Sequence, residues 1–159
     1  VEKNNLALIY FSLFFSMVLT VVPMPTDYVM WRPAWVPLLM IYWVVAAPHK
    51  VGIFTAWCIG LLLDDLEGGV LGQNALALSF VAFFTYALHL RMRVFMVWQQ
   101  MITIMVLVGV YQLVNMVVER AISQAAWEMS YWLPSVSAGL AWPCVVMFLG
   151  QSRHRGLVD

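Results

Sequence analysis

Six stretches of the chain are made almost entirely of apolar side chains: Leu6 to Val22, Ala34 to Ala47, Val51 to Leu63, Gln73 to Leu90, Met96 to Val118 and Tyr131 to Leu149. Runs of this kind predict transmembrane helices, separated here by short segments that hold most of the charge. The second and third runs are short. At 14 and 13 residues they reach only ~21 and ~20 Å at 1.5 Å per residue, below the ~30 Å of a bilayer core. Such helices borrow flanking residues, thin the membrane, or dip in as a re-entrant pair. The first run is followed by Pro23-Met24-Pro25 rather than a small-residue cleavage site, so it reads as a retained span.

Composition strengthens this picture. Of 159 residues 64% are hydrophobic and 10% charged, against roughly 25% charged in a soluble domain. A soluble protein of this size cannot hide so much apolar surface. Six spans of about 20 residues use roughly 120 of the 159, leaving about 39 for two tails and five turns. The expected fold is therefore an all-α integral membrane protein, a single polytopic membrane domain over residues 1–159. A sizeable extramembrane enzyme does not fit, and a formal net charge of zero offers no basic surface for nucleic acid.

Charge distribution sets an expected orientation, because cytoplasmic loops carry the excess of Lys and Arg. With six spans and both termini cytoplasmic, Lys3, Lys50, Arg91, Arg93, Arg153 and Arg155 lie inside, and only Arg32 and Arg120 lie outside. Asp27, Asp64, Asp65, Glu67, Glu119 and Glu128 all fall outside. Merging the second and third spans, or folding them as a re-entrant hairpin, reverses this parity; the hairpin also places His49 and Lys50 at membrane depth, at a cost of ~2.5–3.5 kcal/mol for a charged group. Aromatic residues agree with six spans: Tyr28, Trp31 and Trp35 cluster at one outer junction, Trp127, Tyr131 and Trp132 at another, and Trp98 at an inner one.

Candidate functional positions are few. Gly52, Ala56 and Gly60 recur at intervals of four with Asp64 as the next member, a small-residue face suited to close helix packing or to a partner contact. The turn Asp64-Asp65-Leu66-Glu67-Gly68-Gly69 is the densest charge in the chain; it reads as a solvated helix end in which Asp64 caps the turn at Gly68 and Gly69, or as a paired-carboxylate or cation site. Gln112, Asn115 and Glu119 form a polar stripe on the fifth span, suited to interhelical hydrogen bonds or to a transport path. Cys58 and Cys144 sit in apolar stretches and read as inert core thiols. No nucleotide loop, metal-ligand spacing or nucleophile with a base in register is visible, so no catalytic, cofactor or metal residues are expected. There is no internal repeat of the kind that inverted-repeat transporters carry.

One ordered set of residues resembles a known family. Arg32-Pro33-Ala34-Trp35, Tyr42-Trp43, Pro48-His49-Lys50, and Gly60-Leu61-Leu62-Leu63-Asp64 followed by Gly68 and Leu71-Gly72 are similar to the rod shape-determining MreD proteins of rod-shaped Gram-negative bacteria. Pro23-Met24-Pro25, Trp98-Gln99-Gln100 and Trp142-Pro143 fit the same pattern, while Asp65 stands where relatives carry an apolar residue. The motif positions are thus Arg32, Pro33, Trp35, Pro48, Asp64, Gly68 and Gly72. The resemblance implies a non-enzymatic, multi-pass component of the bacterial inner membrane, a scaffold of the cell-elongation machinery (elongasome). Its implied partners are a bitopic MreC-like protein and, through it, the MreB filament and the synthases of lateral peptidoglycan. The family fold is also similar to substrate-binding subunits of energy-coupling-factor transporters, which implies the alternative of a small solute-binding or transport subunit.

Overall fold

The apolar runs become helices in a computed structural model that describes residues 2–23, 25, 28, 31–123 and 129–155. Among these residues there are six α-helices and no strand: α1 Glu2–Val21, α2 Trp35–Ala46, α3 Ile53–Glu67, α4 Gln73–Met92, α5 Val97–Ser123 and α6 Leu133–Arg155, with a 3-10 turn Met129–Trp132 leading into α6. Three segments are long and apolar enough to cross a membrane: Gln73–Met92, Val97–Ile122 and Met129–Gly150. Met24, Asp27, Trp127 and Glu128 lie outside the described residues, as do the side chains of Lys3, Arg153 and Arg155.

Local chemistry explains the helix boundaries. Pro37 and Pro134 stand in the first turns of α2 and α6, where the missing N–H has no intrahelical partner to lose. Gly68 ends α3 with φ +65° and Gly72 precedes α4 with φ +96°, both left-handed conformations that a side chain would strain. Pro143 lies inside α6, and the residue four positions before it is Gly139. A Cβ at Gly139 would stand 2.4 Å from Met105 Cγ and 3.2 Å from the Met101 carbonyl, so the helix that proline weakens is pressed closely against α5.

Helix α2 is the centre of the bundle. Nine consecutive residues from Val36 to Val44 are buried, as expected of a helix that is apolar on all sides, and it packs against α1, α4, α5 and α6. Trp43 Nε1 donates to Ser12 Oγ at 2.7 Å, tying α2 to α1. At ~18 Å this helix is short, but it does not turn back midway. Arg32, just before it, lies in the field of Glu67 at one end of the bundle, and Val45, near its close, accepts hydrogen bonds from Arg93 at the other. Non-helical residues 32–34 and 47–52 flank it. Helix α3 then returns toward the end where α4 begins.

The bundle therefore has two unlike ends. Lys50, Arg91 and Arg93 gather at one, where α2 and α4 finish and α3 and α5 begin; Asp64, Asp65, Glu67 and Glu119 gather at the other. Between them the outer surface is apolar, with Phe11, Phe54, Phe83, Leu140 and Phe148 all exposed. Buried side chains of all six helices fill one core. Neither cysteine belongs to that core: Cys58 is half-buried and Cys144 lies on the exposed face of α6, so helix register, which the apolar stretch alone does not reveal, corrects the core-thiol reading.

Candidate functional site at the acidic end

The acidic end is built on a close approach of α3 and α4. Ala56 is fully buried, and a Cβ added at Gly60 would lie 2.2 Å from Ala75 Cα and 2.5 Å from Ala75 N. Only glycine permits this contact. One turn further along, Asp64 is carried to the first turn of α4. It is 1% exposed, and its carboxylate accepts from the backbone N–H of Gly72 at 2.8 Å, Asn74 at 2.8 Å and Ala75 at 3.4 Å.

The first turn of a helix leaves N–H groups without partners, and α4 has no capping side chain of its own. Asp64 supplies the cap from the neighbouring helix, with a charge that suits the helix dipole. This corrects two expectations. Asp64 is buried rather than solvated, and it binds Gly72, Asn74 and Ala75 rather than the turn at Gly68 and Gly69. Gly52 likewise differs from its stripe: it precedes α3 and no atom lies within 4 Å of where its Cβ would be, so packing in the stripe is confined to Ala56 and Gly60.

A second layer of polar contacts joins α4 to α5. Asn74 Nδ2 donates to Glu67 Oε2 at 2.9 Å, and Asn74 Oδ1 accepts from Tyr111 and from Asn115 Nδ2 at 3.1 Å. Gln73 Nε2 donates to Glu119 Oε1 at 3.2 Å. Gln112 turns the other way: its Nε2 donates to the Tyr131 carbonyl at 2.8 Å, and Tyr131 donates its hydroxyl proton to the Gln112 carbonyl at 3.2 Å. The stripe thus divides into Tyr111, Asn115 and Glu119 toward α4, and Gln112 toward the segment before α6. Both arms are interhelical hydrogen bonds.

Glu67 lies four residues past the apolar stretch that ends at Leu63. Glu67 keeps exposed surface, yet partial desolvation of its carboxyl raises its pKa above the ordinary value of 4.5; the hydrogen bond from Asn74 and the Arg32 guanidinium pull it down, while Asp64 and Glu119 add to the rise. Several buried polar atoms here have no partner: Arg32 Nε and Nη2, Trp35 Nε1, Gln112 Oε1 and Asn115 Oδ1. They fall on segments at this same end. Desolvation cost and charge-assisted bonding are therefore concentrated together. Among the described residues no three His, Cys, Asp or Glu side chains converge as metal ligands.

Five of the seven motif positions, Arg32, Pro33, Asp64, Gly68 and Gly72, gather around this end, with Trp35 opening α2; Pro48 lies in the turn after α2, near the basic end. Asn74, Gln73 and Tyr111 belong to the network but were not singled out in the sequence. Tyr111 was legible in principle, since it stands four residues before Asn115 on the same face.

An all-helical bundle with an apolar exterior, three span-length helices and polar residues that bond helix to helix defines a multi-pass membrane protein. The chain belongs to the rod shape-determining protein MreD family, whose family model matches residues 2–152. It is 31% identical over 140 residues to the rod shape-determining protein MreD of Haemophilus influenzae, an alignment covering 88% of this chain and 86% of that protein. No solved structure matches. Membership of this family supports a role in rod-shape determination.

Proposed function

We propose that the protein is a non-enzymatic scaffold of the bacterial inner membrane, one membrane domain crossing six times with both termini cytoplasmic, that holds a bitopic MreC-like partner and through it supports MreB-linked synthesis of lateral peptidoglycan. The observation that carries this reading, beside the family, is the use made of Asp64. Both carboxylate oxygens accept from α4 backbone N–H groups, so the most acidic segment of the chain fastens helices. The gathering of Lys50, Arg91 and Arg93 at one end supports the orientation, that end being cytoplasmic.

With Ala56 and Gly60 occupied by α4, and Asn115 and Gln112 bonded within the protein, these positions act as internal packing, and the partner span uses another face. A groove of about 360 Å³ between α5 and α6, lined by Met105, Val106, Gly109, Leu113 and Trp132, is where a second backbone can approach a glycine. A Cβ at Gly109 would meet only Trp132, at 3.7 Å, so this glycine is not required by the fold. Loss of rod shape in cells lacking the protein, and its restoration by the wild-type chain, tests the functional reading. Cells that remain rod-shaped but fail to take up a particular solute would replace it with a transport subunit, which neither the family nor the relative supports.

A further inference from the structure

At the basic end a cavity of about 350 Å³ opens between α2, α4, α5 and α6, lined by Tyr42, Val45, Ala46, Met92, Arg93, Gln100, Trp142 and Val146. Its walls are apolar and held in place. Trp142 Nε1 donates to Gln100 Oε1 at 2.9 Å, and Gln100 Nε2 donates to the Met92 and Phe95 carbonyls at 2.9 and 3.2 Å, so neither polar group seeks a ligand. Tyr42 packs edge-on against Trp142. The charged group at the cavity is Arg93. Its Nε and Nη2 both donate to the Val45 carbonyl, at 3.1 and 2.8 Å, which fixes the guanidinium at the close of α2. A guanidinium carries five N–H donors, more than these two bonds use, and Arg93 is an exposed residue. No acidic side chain lines the cavity, and the nearest charged residue in sequence, Arg91, is also basic.

We infer that this cavity binds an anionic amphiphile, with a phosphate headgroup on Arg93 and the start of an acyl chain against Tyr42, Trp142 and Val146. An immobilised guanidinium matches phosphate geometry and loses little freedom on binding. Apolar walls beside it select a ligand that carries hydrocarbon next to its charge. The residues that line this cavity are distinct from those of the α5–α6 groove at Gly109.

The test is thermal unfolding of the full chain in a neutral detergent, with dioleoylphosphatidylglycerol, dioleoylphosphatidylcholine or inorganic phosphate added at equal concentration. Phosphatidylglycerol is expected to raise the midpoint by about 4 °C or more near saturation, and the other two to leave it unchanged. Arg93→Gln is expected to abolish the shift and Arg91→Gln to keep it. Because Arg93→Gln also releases the close of α2, Val146→Phe provides a second variant that fills the cavity and leaves Arg93 in place; it is expected to weaken phosphatidylglycerol binding at least tenfold and decides the matter if Arg93→Gln does not fold. An equal shift with inorganic phosphate would make this a simple anion site, and a full shift in Val146→Phe would place the lipid elsewhere. Either result overturns the inference.

Discussion

Asp64 Oδ1 lies 2.8 Å from the backbone nitrogen of Asn74, ten residues later in the chain and on the next helix. That bond, with those to Gly72 and Ala75, makes one carboxylate the cap of α4 and the clasp between α3 and α4. Hydrogen bonds to charged groups contribute ~1.5–3 kcal/mol each, and a buried donor left unmatched costs ~1–3 kcal/mol. Asp64→Ala is therefore expected to lower the unfolding midpoint in detergent most, Asp64→Asn less because one acceptor oxygen remains, and Asp65→Asn hardly at all because Asp65 is exposed. Equal effects at positions 64 and 65 would show that the cap carries no weight.

Close packing gives a second contrast. Gly60→Ala places a methyl group 2.2 Å from Ala75 Cα and must move backbone, at a cost of at least ~1–3 kcal/mol. Gly52→Ala meets nothing within 4 Å, and Ile53→Phe enlarges a side chain already exposed. Both are expected to fold normally. Folded yield in detergent and the unfolding midpoint of each variant check this order.

Glu67 provides the pH dependence. Its folded pKa is raised, so the folded protein holds this proton more tightly than the unfolded chain does. The contribution is fully present below the unfolded value near 4.5 and is lost as pH rises through the raised folded value. Glu67→Gln removes the titration while keeping an oxygen to accept from Asn74. The stability of wild type relative to Glu67→Gln is thus expected to fall as pH rises from 4 toward 7. Unfolding midpoints of the two proteins that stay parallel across this range would contradict a raised pKa at Glu67.

Orientation is tested by thiol labelling in a background lacking Cys58 and Cys144. Met92 is buried and makes a poor reporter, whereas Val94 and Leu71 are 84% and 73% exposed at opposite ends of the bundle. Val94→Cys is expected to resist a membrane-impermeant reagent applied from the periplasm, and Leu71→Cys to react. The opposite pattern reverses the proposed topology.

The limits of the sequence lie in particular residues. Helix α2 was legible because its apolar run has a clear start and stop, yet its central position was not, since an all-apolar run looks alike facing lipid or other helices. Asp64 stood out through its spacing from Gly60, but its target was hidden, because the N-terminus of α4 reaches it only after Gly68 and Gly72 reverse the chain. Tyr111 was masked by its apolar neighbours. Gly139 carries no pattern of its own, and its role depends on Met105 of α5.

Affinity purification of the full chain in mild detergent, with identification of what remains bound, tests the scaffold reading most directly. The expected result is a bitopic MreC-like protein retained without any added small molecule, retained equally by Asp65→Asn and lost from Gly109→Leu while the variant still folds. Recovery of an ATPase module in its place, or no membrane partner at all, would contradict it.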